Sequence, residues 1–216
     1  MPRQERAIQT RRIILEAAAE MFDQLGYDAT TIGGLIDRTR LTRGGLYFHF
    51  TSKEELARAV LDEAVTMEGL TPQTFKLQEW VDLALLLAHR LPREPLLSAS
   101  IRLSVDVKAR GLFGTRWPDW IAIGQDLLTA ARERGELLVH VDPQETARMF
   151  VGAWTGIQLV TESLPGCDLS TEVSGFLRLT LPNIARPGVL AKLDTSPTRA
   201  ARLLAPGADS TATGRP

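Results

Sequence analysis

Three helix-start signals follow one another at intervals of about ten residues near the amino terminus, and they constrain the fold more than any other feature. Thr31, Thr42 and Ser52 each have a side-chain oxygen suited to capping a helix, and apolar residues at helical spacing follow each of them. Caps this close leave room for helices of only about two turns between them. We therefore predict a head of short helices joined by tight turns.

The rest of the chain is also helical in pattern, and no stretch shows the sustained apolar–polar alternation of a strand. Gly26 is a natural helix stop, and Ser52 with Glu55 predicts a capping box. Asp142 followed by Pro143 is a strong helix start. The predicted helices are 5–25, one following Thr31, 42–50, 52–68, 77–91, 96–108, 120–134, 143–164 and 169–183, with a loop at 110–120.

These elements predict an all-α protein with a three-helix head and a helical body. We place the helix-turn-helix head at residues 1–51, the body at 52–205 and a disordered tail at 206–216. No apolar run is long enough for a membrane span, and the amino terminus is charged without an apolar signal segment. With one cysteine, Cys167, no internal disulfide can form, so we expect a cytoplasmic protein that does not contact the membrane.

An enzymatic role finds little support in the sequence. The three histidines, at positions 49, 89 and 140, are far apart and lack metal-ligand spacing. No phosphate-binding loop or nucleophile elbow is present. We therefore expect a protein that is not an enzyme and that carries no cofactor and no metal.

The helix at 42–50 has the pattern of a DNA-recognition helix. At 100° per residue, Arg43, Gly44 and Tyr47 share one face and Leu46 points away from it. Such an arginine can contact guanine edges, and a neighbouring glycine lets the backbone approach DNA closely. Donors for phosphate oxygens are expected from Thr31, Thr42, Tyr47, His49 and Lys53. From these residues alone DNA binding and an ordinary packing role stay equally open, and we expect Phe48 and Phe50 in the core.

Over residues 8–60 the sequence resembles the TetR family of transcriptional repressors. The resemblance rests on FDQLGY, TTI, LTRGGLYFHF and SKEEL at fixed spacing. Further stretches, RLSVD, RWPDW, RERGELL, VGAWTGIQLV and LPNIARPGVLAKLD, are similar to the γ-butyrolactone receptor subfamily and extend the resemblance to about residue 200. It implies a homodimer that binds double-stranded operator DNA and is released by a γ-butyrolactone-like effector, regulating antibiotic or secondary-metabolite genes.

The resemblance also implies roles for individual residues. Thr42, Arg43, Gly44, Tyr47, His49 and Lys53 would contact DNA, and Trp120 matches the pocket tryptophan of the subfamily. A lactone with an apolar tail requires an apolar site with few polar groups. The candidates for this site are Trp120, Leu83, Leu87, Val105, Thr155, Gln158 and Thr161.

Helices 143–164 and 169–183 would pair with their symmetry mates through Phe150, Trp154, Leu177 and Leu181. Helix 52–68 would transmit the effector's presence to the head. Two other functions stay open: a receptor of the same fold that responds to an antibiotic or intermediate, and a small-molecule binding module without DNA binding.

Three features depart from the family pattern. Arg40 stands where a glycine is usual, and a left-handed backbone there costs an arginine roughly 1 kcal/mol. Gly33 and Gly34 lie inside the second helix, and Gly45 replaces a common alanine. Each interior glycine costs roughly 0.5–1 kcal/mol relative to alanine, so the head is expected to be locally soft.

Overall fold

Helices account for all the regular secondary structure in the computed structural model, which describes residues 3–205. Within this range the only β pairing is an isolated bridge between Leu137 and Ala185, so the all-α prediction is confirmed. None of the described helices combines the length and apolar content that a membrane span requires. The helices are α1 Arg3–Ala29, α2 Ile32–Thr39, α3 Arg43–His49, α4 Lys53–Glu63, α5 Lys76–Arg90, α6 Pro95–Val105, α7 Val107–Phe113, α8 Trp117–Glu133, α9 Pro143–Ser163, α10 Leu169–Thr180, α11 Pro187–Leu190 and α12 Arg199–Leu203, with 3₁₀ turns at Leu91–Arg93 and Leu181–Asn183.

The described chain divides into two compact units. Unit 1 contains the residues up to Thr66 together with Leu91–Arg116, and unit 2 contains Met67–Arg90 and the residues from Trp117 onward. Helices α6 and α7 are therefore packed with the amino-terminal helices, beyond the predicted head of residues 1–51. The tail predicted at 206–216 lies outside the described residues.

The caps predicted from the sequence are present in unit 1. The Thr31, Thr42 and Ser52 side chains each accept a hydrogen bond from the backbone N–H three residues later, at 3.1 Å. The Glu55 carboxylate, however, accepts from the Thr51 N–H and hydroxyl at 2.7 Å, so the capping box closes one residue earlier than predicted.

Glycine and arginine set the backbone turns of unit 1. Gly26 has φ 78° and ψ 175°, non-helical values that interrupt α1 at the predicted stop, and a short helical stretch up to Ala29 follows this kink. Arg40 has φ 55° and ψ 25°, the left-handed conformation considered for this position. Its cost of roughly 1 kcal/mol falls on the turn between α2 and α3.

Two predicted elements of this region were wrong. Helix α4 ends at Glu63 instead of continuing to residue 68, and the chain turns at Gly69, with φ 84°. The stretch predicted as a loop at 110–120 contains the end of α7 and the start of α8, because Asp106 caps α7 through its carboxylate. The rod proposed for transmission is thus shorter than expected.

Unit 2 is built around α5, which is buried on nearly every side and packs against α8, α10 and α12. Asp142 caps α9 by accepting from the Glu145 N–H at 2.7 Å, as predicted. An aromatic chain joins α5 to α9 and α10, with ring centroids 4.2 Å apart for Trp80–Phe150 and 5.4 Å apart for Phe150–Phe176.

The carboxy-terminal helix α12 is held to α5 by a buried ion pair. Asp82 is completely buried, and the Arg199 guanidinium donates to both of its carboxylate oxygens, with a contact of 2.8 Å from Nη2 to Oδ2. The Gln78 amide donates to the same carboxylate at 2.6 Å. The hydrogen bonds that the Arg199 guanidinium donates to Asp82 raise the pKa of Arg199.

Candidate nucleic-acid interface and effector site

Helix α3 has one buried face and one open face. Leu46 and Phe50 are 0% and 1% exposed and hold the helix in unit 1. Arg43, Gly44 and Tyr47 are exposed, as the helical wheel predicts. The open face is therefore supported by two apolar anchors and presents a cation, a bare backbone and a phenol to the surroundings.

Two threonine hydroxyls lie at the starts of α2 and α3. Thr31 and Thr42 are exposed, and each uses its oxygen to accept the capping N–H. A hydroxyl that accepts one hydrogen bond still has its proton to donate. Both side chains can thus cap their helices and donate to a phosphate oxygen at once.

Positive charge flanks this face. The Arg43 guanidinium lies over the Tyr47 ring, 5.7 Å from its centroid, and this cation–π contact orients both side chains. Arg40, in the turn before α3, is also exposed, and within the described residues neither arginine has an acidic partner. Arg38, in contrast, pairs with Glu20. The two unpaired cations are available to an anionic partner.

The two glycines of α3 differ in their surroundings. A Cβ added at Gly45 would lie 3.2 Å from the Thr42 Oγ1, so this glycine makes room for the cap. A Cβ added at Gly44 would meet no atom of the described chain within 4 Å. Internal packing with the described chain therefore does not explain the glycine at position 44.

Phe48 does not lie in the core, and that expectation was wrong. Its side chain is 79% exposed, and its ring meets the half-buried His49 ring edge-on at 5.0 Å. In a helix of two turns, Leu46 and Phe50 occupy the inner face, and position 48 falls outside it. An exposed phenylalanine beside Gly44 enlarges the open face with an apolar surface.

Lys53 has a role in this structure other than the phosphate contact expected of it. Its ammonium donates to the Tyr27 and Asp28 carbonyl oxygens at 2.9 and 3.4 Å and lies 4.3 Å from the centre of the Tyr27 ring. Burial and the hydrogen bond to the Glu54 carboxylate raise the pKa of Tyr27 to about 12. Lys53 thus joins α4 to the kinked end of α1.

Six of the seven residues predicted for the effector site lie in unit 2. Leu83, Gln158 and Thr161 are buried, while Trp120, Leu87 and Thr155 are half-buried. Val105 is half-buried in unit 1. The unit 2 residues come from α5, α8 and α9.

Sequence reasoning missed Trp80. This indole is 3% exposed, and a Cβ added at Gly124 of α8 would lie 3.5 Å from its Nε1. Gly124 thus lets α8 approach Trp80 closely, one helical turn after Trp120. The available signal was the spacing of Trp80 from Leu83 and Leu87, which puts all three on one face of α5.

The residues predicted for a dimer seam need correction. Trp154, Leu177 and Leu181 are only 8%, 0% and 1% exposed within the single chain, so they pack inside the protomer. The Trp154 indole N–H donates to the Ala84 carbonyl at 3.3 Å. Phe150 is half-buried in the aromatic chain described above.

Other apolar residues of the same helices are open. Met149, Leu159 and Val160 of α9 are 63%, 40% and 56% exposed, and Leu179 of α10 is 77% exposed. These residues, which we call the α9–α10 apolar face, remain available to a partner.

A cleft of about 560 Å³ opens between α1 and α4 in unit 1, but its lining is not that of an apolar ligand site. Five charged side chains line it, including Arg11, which pairs with Glu63 at 3.4 Å. The Arg58 guanidinium lies 5.4 Å from the centre of the Phe113 ring. A lactone with an apolar tail gains little from such walls.

Residues 14–60 match the family model described as bacterial regulatory proteins, tetR family. The A-factor receptor protein of Streptomyces griseus is 39% identical over 197 residues, which cover 89% of this chain and 70% of that protein.

Solved structures show the same similarity over nearly the whole chain. The crystal structure of tylp, a tetR regulator from Streptomyces fradiae, is 43% identical, with a TM-score of 0.84 over 92% of this chain and 97% of that one. A γ-butyrolactone receptor described as ArpA-like is 26% identical, with a TM-score of 0.73 over 92% and 98% of the two chains.

Proposed function

The chain belongs to the tetR family of bacterial regulatory proteins, and we propose that it is a dimeric transcriptional repressor released from its operator by a γ-butyrolactone-type effector. The family consists of regulators, which agrees with the prediction that the chain is not an enzyme. The observation that carries the proposal is the open face of α3, where Arg43, Gly44 and Tyr47 are exposed above the buried Leu46.

This face supports DNA binding through two kinds of contact. The Thr31 and Thr42 hydroxyls donate to phosphate oxygens and set the register of the head on the duplex. Arg43 forks onto a guanine edge in the major groove, and Gly44 lets the helix backbone come close enough for it to do so. His49 adds a donor beside them, and the protein acts in the cytoplasm, where operator DNA is accessible.

A near-palindromic operator requires two heads. In a dimer the two α3 helices enter successive major grooves about 34 Å apart, or a multiple of that distance. The α9–α10 apolar face, with Met149, Leu159, Val160 and Leu179 exposed, supports pairing with a second copy of the chain.

The effector site that we propose is formed by α5, α8 and α9, with Trp120 as its aromatic wall. Apolar side chains from Leu83, Leu87 and Trp80 and a few polar groups on α9 suit a lactone with an apolar tail. Release requires the effector to bind more tightly to the state that does not bind DNA, because a ligand shifts an equilibrium only by its differential affinity.

The test is a gel shift with the promoter region upstream of the protein's own gene. We expect a shifted complex whose affinity falls steeply with salt, since phosphate contacts release counterions, and dissociation on adding a butyrolactone. A complex that no butyrolactone dissociates would contradict the effector assignment and favour a receptor for another metabolite. Absence of any salt-dependent complex would contradict the repressor function itself.

A further inference from the structure

Gln158 carries a buried acceptor whose orientation is fixed. Its side chain is 2% exposed, and its Nε2 donates to the Glu162 carboxylate one turn later. A carboxylate only accepts hydrogen bonds, so the amide nitrogen must face Glu162 and the amide oxygen must face the opposite way. Within the described part of the chain, no donor reaches that Oε1, which is shielded from solvent. A buried acceptor without a hydrogen-bond partner costs free energy, and a donor supplied by a bound molecule would remove that cost.

Neighbouring polar groups on α9 have already used their donors. The Thr155 hydroxyl donates to the Val151 carbonyl at 2.8 Å, and the Thr161 hydroxyl donates to the Ile157 carbonyl at 2.7 Å. The Trp154 indole N–H is likewise bound to a backbone carbonyl. The two hydroxyls therefore retain acceptor capacity alone, and the indole has no hydrogen-bonding capacity left.

From this arrangement we infer that Gln158 selects the effector by accepting a hydrogen bond from an effector hydroxyl. The inference rests on the proposed effector site on α9 and specifies its ligand class: a butyrolactone with a hydroxyl on its side chain, in preference to the otherwise identical ketone. A ketone oxygen placed near Oε1 is also an acceptor, so neither oxygen would receive a hydrogen bond from the other. The amide cannot turn to help, since Glu162 holds its nitrogen.

The test compares two synthetic butyrolactones that differ only in a hydroxyl or a ketone on the side-chain carbon next to the ring. Binding is measured by calorimetry on the full chain, and operator release by fluorescence anisotropy at fixed salt. The hydroxy-lactone should bind at least about tenfold more tightly than the keto-lactone, because a site that requires a donor rejects ligands lacking one.

Two variants separate recognition from packing. Gln158→Met keeps a similar volume without the acceptor, and the preference for the hydroxy-lactone should fall to within about twofold. Glu162→Gln, at an exposed position, replaces a side chain that only accepts hydrogen bonds with one that can also donate. The Gln158 amide can then rotate and present its N–H groups to a ketone. The keto-lactone should therefore bind this variant more tightly than it binds the unmodified protein. Far-UV circular dichroism checks the fold, and a misfolded Gln158→Met leaves the Glu162→Gln comparison decisive.

The outcomes are distinguishable. Equal binding of both lactones to the unmodified protein, or an unchanged preference in the folded Gln158→Met variant, overturns the inference and leaves the proposed function intact. An unchanged keto-lactone affinity in Glu162→Gln also overturns it. Failure of both lactones to bind overturns the effector assignment and this inference with it.

Discussion

Gly44→Ala should make the protein more stable and a weaker DNA binder at the same time. The added methyl group would meet no atom of the described chain within 4 Å, so it creates no clash inside the protein. Replacing a glycine in a helix by alanine then stabilises by roughly 0.5–1 kcal/mol. If α3 approaches DNA through Gly44, the same methyl group fills the space the duplex needs.

The expected loss of operator affinity is about a hundredfold. A displacement that weakens each head about tenfold corresponds to about 1.4 kcal/mol, so a dimer with two heads would lose about a hundredfold. This change is opposite in sign to the gain in stability and larger. Global unfolding or loosening of the head therefore cannot produce it.

Urea unfolding and operator titration at one salt concentration measure the two effects. Gly111→Ala is the matched control, because Gly111 lies in α7 of the same unit and its added Cβ also meets nothing within 4 Å. We expect Gly111→Ala to gain similar stability and keep its operator affinity. Wild-type affinity in Gly44→Ala would show that this face of α3 does not approach DNA and would refute the reasoning.

Three further changes test other parts of the molecule. Arg43→Ala should cost about 1–3 kcal/mol in operator binding and relax discrimination at one base pair. The affinity of the variant for a panel of operator variants measures this. Equal weakening on every sequence would show that Arg43 contacts only a phosphate. Trp120→Ala should retain operator affinity and lose release by a butyrolactone in the gel shift, and an unfolded variant would instead make it a packing residue. Arg199→Ala leaves the completely buried Asp82 without its cation and should cost roughly 3–5 kcal/mol in urea unfolding. Arg202→Ala, whose side chain is 53% exposed, should cost less than about 1 kcal/mol, and similar values for the two variants would contradict this account of the pair.

The sequence was most informative where structure depends on near neighbours. A cap needs one side chain and the backbone three residues away, so Thr31, Thr42, Ser52 and Asp142 could be identified directly. The left-handed backbone at Arg40 is also a local property, and it was anticipated from the family's usual glycine at that position.

It was least informative where distant segments meet. Asp82 and Arg199 are 117 residues apart in sequence, and neither has a local pattern that indicates the other. For the same reason α12 was not predicted, because only its docking on α5 explains why this short segment is ordered. The burial of Leu177 and Leu181 within the protomer likewise depends on how helices from distant parts of the sequence pack together. Helical periodicity cannot show that packing.

Helix α3, which we propose reads the operator, has little intrinsic tendency to form. It has only seven residues, two of them glycine, and it follows a turn in which an arginine adopts a left-handed conformation. Isolated helices of this length are unstable in water, so α3 depends on the Thr42 cap and on the burial of Leu46 and Phe50. Substitutions at these anchors should therefore reduce both stability and DNA affinity. Substitutions on the open face should reduce DNA affinity without reducing stability. Measuring both quantities on each variant separates residues that build the helix from residues that contact DNA.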